Sequence, residues 1–151
     1  MSANDYSRTY EVRWADLDPN GQLRHSAYAD YGTEVRMRFL ADHGFPARRF
    51  LELGVAPILF NETNHYLKEV LIGETITVTV RQANRSPDGT RWSIQHDIFK
   101  ANGQKAASLQ VEGAWIDLRT RTLAVPPQEL LDVMDRLSHA AEQVEPVAVN
   151  E

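Results

Sequence analysis

A chain of 151 residues, 42% hydrophobic and 25% charged, is long enough for one domain with a core of its own. It holds no cysteine, which excludes disulfides, thiol catalysis and cysteine-ligated zinc. A formal net charge of -5 supplies no overall field for nucleic acid, although a local basic patch for a phosphorylated group remains compatible with it. No apolar run approaches the length that crosses a bilayer, and Met1-Ser2-Ala3-Asn4-Asp5 is too polar for a signal peptide. A cytoplasmic protein with neither membrane nor nucleic-acid partner is therefore expected.

Tyr10, Val12 and Trp14 alternate with Thr9, Glu11 and Arg13, which predicts a first strand over 8–14. A loop with two aspartates and a Pro-Asn-Gly turn follows, and then a helix over 26–43. Ser26 is its expected N-cap, Asp30 is placed in its first turn, and His43-Gly44 before Pro46 is its stop. Tyr28, Tyr31, Val35 and Phe39 form one apolar face beside Gly32, whose use would be to let another backbone come close. Residues 45–54 read as irregular or a short helical turn. Strands are expected over 56–68, 75–80, 91–100 and 105–117, with reversals at Ile72-Gly73-Glu74, Ser86-Pro87-Asp88-Gly89 and Asn102-Gly103, and Gly113 marks a candidate bulge. Pro126-Pro127 opens a short amphipathic helix carrying Leu130, Leu131, Val133, Met134 and Leu137. Residues 1–144 read as a single domain and 145–151 as a disordered tail.

One apolar face of a meandering antiparallel sheet needs a cover, and only the helix over 26–43 is long enough to supply it. The expectation is an α+β fold, a curved five-stranded antiparallel sheet wrapped around one long central helix, plus a short C-terminal helix. Long strands on a small domain leave an edge, which implies a dimer that continues the sheet.

The candidate chemistry lies in the loop before the helix. On spacing alone, Asp16 and Asp18 are more commonly two loop acids, one bonding its own turn. The functional reading sets a carboxylate beside a helix N-terminus, as nucleophile or general base, with backbone N–H groups stabilising an oxyanion. Asp18, next to the turn, is better placed for it than Asp16. His25 alone reads as a capping or solvated side chain, but its place beside Asp18 makes it a proton-transfer or orienting candidate. No His-x-x-x-His spacing points to a metal, and His65 and His96 read as structural strand residues. Tyr28 and Tyr31 read as core; Arg36 and Arg38 read as solvated, or paired with Glu34 or a neighbouring chain. Arg81, Arg85 and Arg91 flank the Ser-Pro-Asp-Gly turn, with Lys100 and Lys105 near the next hairpin, and are candidates for meeting phosphates. The absence of a Gly-rich phosphate loop, dinucleotide fingerprint or Gly-x-Ser-x-Gly elbow argues against ATP, nicotinamide and serine-hydrolase chemistry.

Val12-Arg13-Trp14-Ala15-Asp16-Leu17-Asp18-Pro19-Asn20-Gly21, followed by Leu23, His25 and Tyr28, resembles the acyl-CoA thioesterases of the 4-hydroxybenzoyl-CoA thioesterase type, a hotdog-fold group. The resemblance extends through Gly54-Val55-Ala56-Pro57-Ile58 and Ile72-Gly73-Glu74-Thr75-Ile76. It implies that Asp18 is the catalytic carboxylate, either attacking the thioester or activating water, with His25 as helper and Tyr28 at the helix start. It implies an oxyanion and acyl site at the backbone of Ser26, Ala27 and Tyr28. Gln22 and Arg24 depart from the family pattern close to that site. The resemblance further implies a homodimer or dimer of dimers in which the partner's second strand faces the site. Asn61 and Thr63 are the candidates there, or Glu62 if the alternation runs the other way. Coenzyme A enters as part of the substrate, with Arg85 and Arg91 for its phosphates; no metal and no further cofactor are implied. Two alternatives remain at this point: a non-catalytic acyl-CoA-binding hotdog protein, and an enoyl-thioester hydratase.

Overall fold

Ala27, Tyr28, Tyr31, Gly32, Val35, Phe39 and Leu40 recur at helical spacing, and the helix they define, α1 (His25–Asp42), buries all of them. The computed structural model describes residues 5–140, so the expected tail over 145–151 lies outside the described residues. Five strands form one antiparallel sheet: β1 (Tyr6–Glu11), β2 (Val55–Tyr66), β3 (Thr75–Arg85), β4 (Arg91–Lys100) and β5 (Lys105–Asp117). Their spatial order is β1-β3-β4-β5-β2, so β3, β4 and β5 form the meander while β1 and β2 close its two sides. Two helices of seven residues each, α2 (Ala47–Leu53) and α3 (Gln128–Met134), complete the fold.

The core is the interface between α1 and one face of the sheet. Trp92, Ile94, His96 and Ile98 of β4 are all buried, as are Leu109 and Val111 of β5 and Val78 and Val80 of β3. Gly32 is where α1 comes closest. A Cβ there would stand 3.0 Å from the Leu109 side chain and 3.1 Å from the His96 ring, so the glycine makes room for side chains rather than for a backbone. The other face of β4 is polar yet enclosed: Gln95 and Asp97 are buried, and Asp97 is held by Arg81 at 2.6 Å and Lys105 at 3.5 Å. Arg81 is therefore a strand residue with a fixed partner, not a loop cation.

β1 ends at Glu11, not at Trp14. Trp14–Asp16 forms a 3-10 turn, which leaves Trp14 79% exposed. The cause is Asp16, whose carboxylate collects Arg13 and Tyr31 and pulls the chain out of the sheet. Helix α1 starts one residue before the expected cap. Arg24 is its N-cap residue, Ser26 lies inside the first turn, and Asp30 falls beyond that turn. β3 runs five residues past the alternating run over 75–80. Its far end gains a second neighbour after α3, where Gln82 donates to the Ser138 carbonyl at 2.9 Å and accepts from Ala140 at 2.8 Å.

A bulge in β2 sets which side chains face α1. Leu59 pairs with Gly113 and Asn61 with Glu112, so Phe60 is the extra residue and the alternation changes sign there. Gly113 is thus the partner of the bulge rather than its site. A Cβ on it would lie 2.1 Å from the Ile58 carbonyl oxygen and 2.5 Å from the Trp92 ring, which covers it from β4.

Candidate active site

The loop from Arg13 to Arg24 is fixed by its own acids. Asp16 is 2% exposed and accepts Arg13 Nε at 2.9 Å, Arg13 Nη2 at 2.8 Å, the Tyr31 hydroxyl at 2.9 Å and Arg24 Nη1 at 3.4 Å. The Arg13 hydrogen bonds hold its carboxyl below the usual range against the opposing effect of burial. With its acceptor positions occupied in this way, Asp16 ties the loop to α1 and has little capacity left for a substrate.

Asp18 is half-buried and organises a tight turn. Its Oδ1 accepts the N–H of Asn20 at 2.8 Å and of Gln22 at 3.1 Å, while its own N–H donates to the Gln22 carbonyl at 2.7 Å. Gly21, at φ 75°, adopts the left-handed conformation that this reversal requires. The carboxylate lines a cleft of about 360 Å³ together with Gln22, His25, Tyr28, Tyr66 and Lys68. The structure therefore brings Asp18, Gln22, His25 and Tyr28 to one place, at the start of α1.

His25 is the first residue of α1 and is exposed, and its carbonyl accepts the Tyr66 hydroxyl at 3.3 Å. Ser26 is exposed, with its hydroxyl accepting from Arg24 Nε at 3.0 Å. The buried Ala27 directs its N–H to the Arg24 carbonyl at 3.0 Å. The Tyr28 ring packs edge-on against Tyr66 at 5.1 Å between centroids, and burial pushes its phenol up to about 12. Gln22 donates to Glu69 at 2.7 Å across the cleft. Arg24 is turned away from Asp18, bonded to the Ala15 carbonyl and to Asp16.

The β2 bulge gives Glu62, Asn64 and Tyr66 the side facing α1. Asn64 Nδ2 donates to Glu62 at 2.8 Å and approaches the Tyr66 hydroxyl at 3.4 Å, so the three form a polar row leading to the helix start. Asn61 points the other way, to Glu112 at 2.9 Å, and Thr63 is exposed. Arg85 and Arg91 line a different cleft, of about 340 Å³, on the far side of the bulge. Arg85 pairs there with Asp135 at 2.7 Å, and Arg91 lies over the Phe60 ring at 5.1 Å. They share that cleft with each other, not with Asp18. Among the described residues no cluster of His, Asp or Glu has the spacing of a metal site. Tyr66, Lys68 and Glu69 enter the Asp18 cleft without any signal from local sequence, because β2 and the turn after it reach the site only through the pairing of β2 with β5.

A family model described as the thioesterase-like superfamily matches residues 12–134, from just past β1 to the last residue of α3. The chain belongs to that superfamily. A hypothetical protein from Staphylococcus aureus, characterised in complex with CoA, superposes with a TM-score of 0.83 at 19% identity over 97% of this chain and 96% of its own. A 1,4-dihydroxy-2-naphthoyl-CoA thioesterase from Synechocystis superposes at 0.79, with 18% identity over 87% of this chain and 96% of its own. At such identities the likeness establishes the fold, and an antiparallel five-stranded sheet with three helices is the hotdog arrangement. A curated protein of Aquifex aeolicus (strain VF5), named "Putative esterase", is 30% identical over 67 residues, which are 44% of this chain and 52% of that one. The match thus spans about half the length of that relative.

Proposed function

We propose that this member of the thioesterase-like superfamily hydrolyses an acyl-CoA thioester to a free acid and CoA, with α1 as the helix around which the sheet curls. The observation that carries the reading is Asp18: a carboxylate anchored through Oδ1 by two backbone N–H groups, in one cleft with His25 at the start of α1. A thioester needs no metal or serine triad, since its resonance is weak and the thiolate leaves readily. The carbonyl carbon is placed at Asp18 and the carbonyl oxygen at the first-turn amides of α1. Because the Ala27 amide is already directed at Arg24, Ser26 is the amide assigned to the oxyanion. Asp18 either attacks the carbonyl, expelling CoA thiolate and leaving an acyl anhydride that water then cleaves, or removes a proton from the attacking water. His25, exposed beside it, supplies the proton taken up by the leaving thiolate.

The active unit on this reading is a homodimer, or a dimer of dimers, joined along the edge of β2, with the partner's β2 closing the site. The polar row of Glu62, Asn64 and Tyr66, rather than Asn61 and Thr63, is the part of β2 that faces a helix start. Arg85 and Arg91, adjoining on the far side of the bulge, are assigned to CoA phosphates. CoA thioesters are cytoplasmic metabolites, which fits the compartment expected from composition. The position of Arg24 favours hydrolysis over mere binding: it is drawn back onto Asp16 and does not cover Asp18.

A thiol-release assay across chemically diverse acyl-CoAs tests the reading. Asp18→Asn keeps the amide oxygen that caps the turn and removes the charge, so the fold survives while kcat/KM falls by about 10³. An Asp18→Asn variant with full activity, or a wild type that binds acyl-CoAs and releases no thiol, would sink it.

A further inference from the structure

Arg36 reads from sequence as a solvated helix arginine, yet its guanidinium turns into the molecule. Nη1 lies 3.0 Å from His96 Nε2, and Nη2 donates to Thr33 Oγ1 at 3.0 Å. His96 is fully enclosed, and burial, then the Arg36 charge, push its pKa down to about 3. Its ring is therefore neutral, and the contacts assign the proton: Nδ1–H donates to the Thr79 carbonyl at 2.8 Å and Nε2 accepts from Arg36. Neither partner of Arg36 carries negative charge. Among the described residues no ion pair joins Arg36 to a carboxylate. The field of Glu62 reaches it, but the Glu62 carboxylate is hydrogen-bonded by Asn64.

This cation lines a cavity of about 270 Å³ whose wall is otherwise nearly all apolar, with Leu40, Pro57, Trp92, Ile94, Trp115 and Leu137 contributing. A cavity of about 150 Å³ accepts benzene, so there is room here for a larger apolar body. We infer that this cavity takes an acyl group ending in a second carboxylate, which pairs with Arg36. A purely apolar occupant would strip the remaining water from Arg36 and offer no acceptor, whereas a carboxylate meets the unused part of the guanidinium fork. Arg36 lies just over two helical turns beyond Tyr28, about 12 Å along α1, which matches the extended length of an acyl chain of about ten carbons. Glu62 shares the field at Arg36, so the preference for a carboxylate is smaller than in a site where the unpaired group has no neighbouring charge.

The attachment of this acyl group to CoA rests on the thioesterase reading; the carboxylate site in the cavity does not. Decanoate and 1-decanol, equal in length, are therefore titrated into the full chain with the fluorescence of Trp92 and Trp115 in the cavity wall as readout. The wild type is expected to bind decanoate about 30-fold more tightly than decanol. Arg36→Gln, which can still hydrogen-bond His96, and Arg36→Met should each erase that preference; where one does not fold, the other decides. In turnover, sebacoyl-CoA is expected to exceed decanoyl-CoA about 30-fold in kcat/KM for the wild type, chiefly through KM, and to lose that advantage in the folded Arg36 variants. Equal binding of the two ligands by the wild type, or an undiminished decanoate preference in a folded neutral Arg36 variant, overturns the proposal. Selective decanoate binding without cleavage of any acyl-CoA leaves the carboxylate site standing and removes the thioesterase reading instead.

Discussion

Asp16 and Asp18 stand two positions apart and are held differently because different groups reach them. Spacing alone cannot separate them, since it does not show that the Arg13 guanidinium and the Tyr31 phenol both converge on Asp16. Asp16 and His96 together fix how the protein responds to acid. His96 is neutral when folded, with its pKa lowered from 6.5 to about 3, so between those values the unfolded chain binds more protons and stability falls as pH drops below 6.5. Asp16 is depressed from 3.8, so its contribution is fully present above that value and is lost as pH falls through the lower folded one. Urea midpoints across pH 7 to 3 should therefore fall in two stages. His96→Gln should flatten the first. Asp16→Asn should cost about 2 kcal/mol at neutral pH, its exposed Arg13 partner limiting the loss, and that cost should shrink below pH 4. A cost independent of pH would count against the assignment.

At the scale of elements, alternation and turn chemistry suffice to place β4, β5, the three reversals and most of α1, because each follows from a local period. The bulge at Phe60 does not follow, and it decides which β2 residues meet the site. Strict alternation leaves Asn61 and Thr63 against Glu62 undecided, and the answer lies across the sheet at Gly113, beneath Trp92. Arg36 is hidden for a related reason. Its position four residues after Gly32 on the edge of the apolar face was the available signal, but only the place of His96 on β4 turns it inward. Gly113 carries a direct test. Gly113→Ala drives a Cβ against the Ile58 carbonyl and the Trp92 ring, with a cost of about 3 kcal/mol and a fall in Tm of about 10 °C. A calorimetric Tm within 2 °C of wild type would mean that β2 and β5 are not locked at this point.

Across the whole molecule, one open feature is the outer edge of β2, a 12-residue strand paired on one side only among the described residues. Leu59, Phe60 and Tyr66 along it are each 47–49% exposed, an apolar edge of the kind that folded proteins rarely leave open. Sedimentation equilibrium at micromolar concentration should give a mass of twice 17.1 kDa or a multiple of that, and the wild type should lose activity on dilution to monomer. A monomer that remains fully active would show the site to be complete within one chain.

The bulge at Phe60 also separates two kinds of genetic change that are usually ranked by size alone. Replacing Phe60 removes a ring and its Arg91 contact but leaves the extra residue in place. Deleting it joins Leu59 to Asn61, whose partners Gly113 and Glu112 are already consecutive, so the ladder becomes regular and Glu62, Asn64 and Tyr66 keep the helix side. A single-codon loss at Phe60 would thus spare the polar lining, whereas one taken from the regular stretch just beyond it would turn all that follows to the other face, giving a hotdog domain a route to a new lining without point mutation.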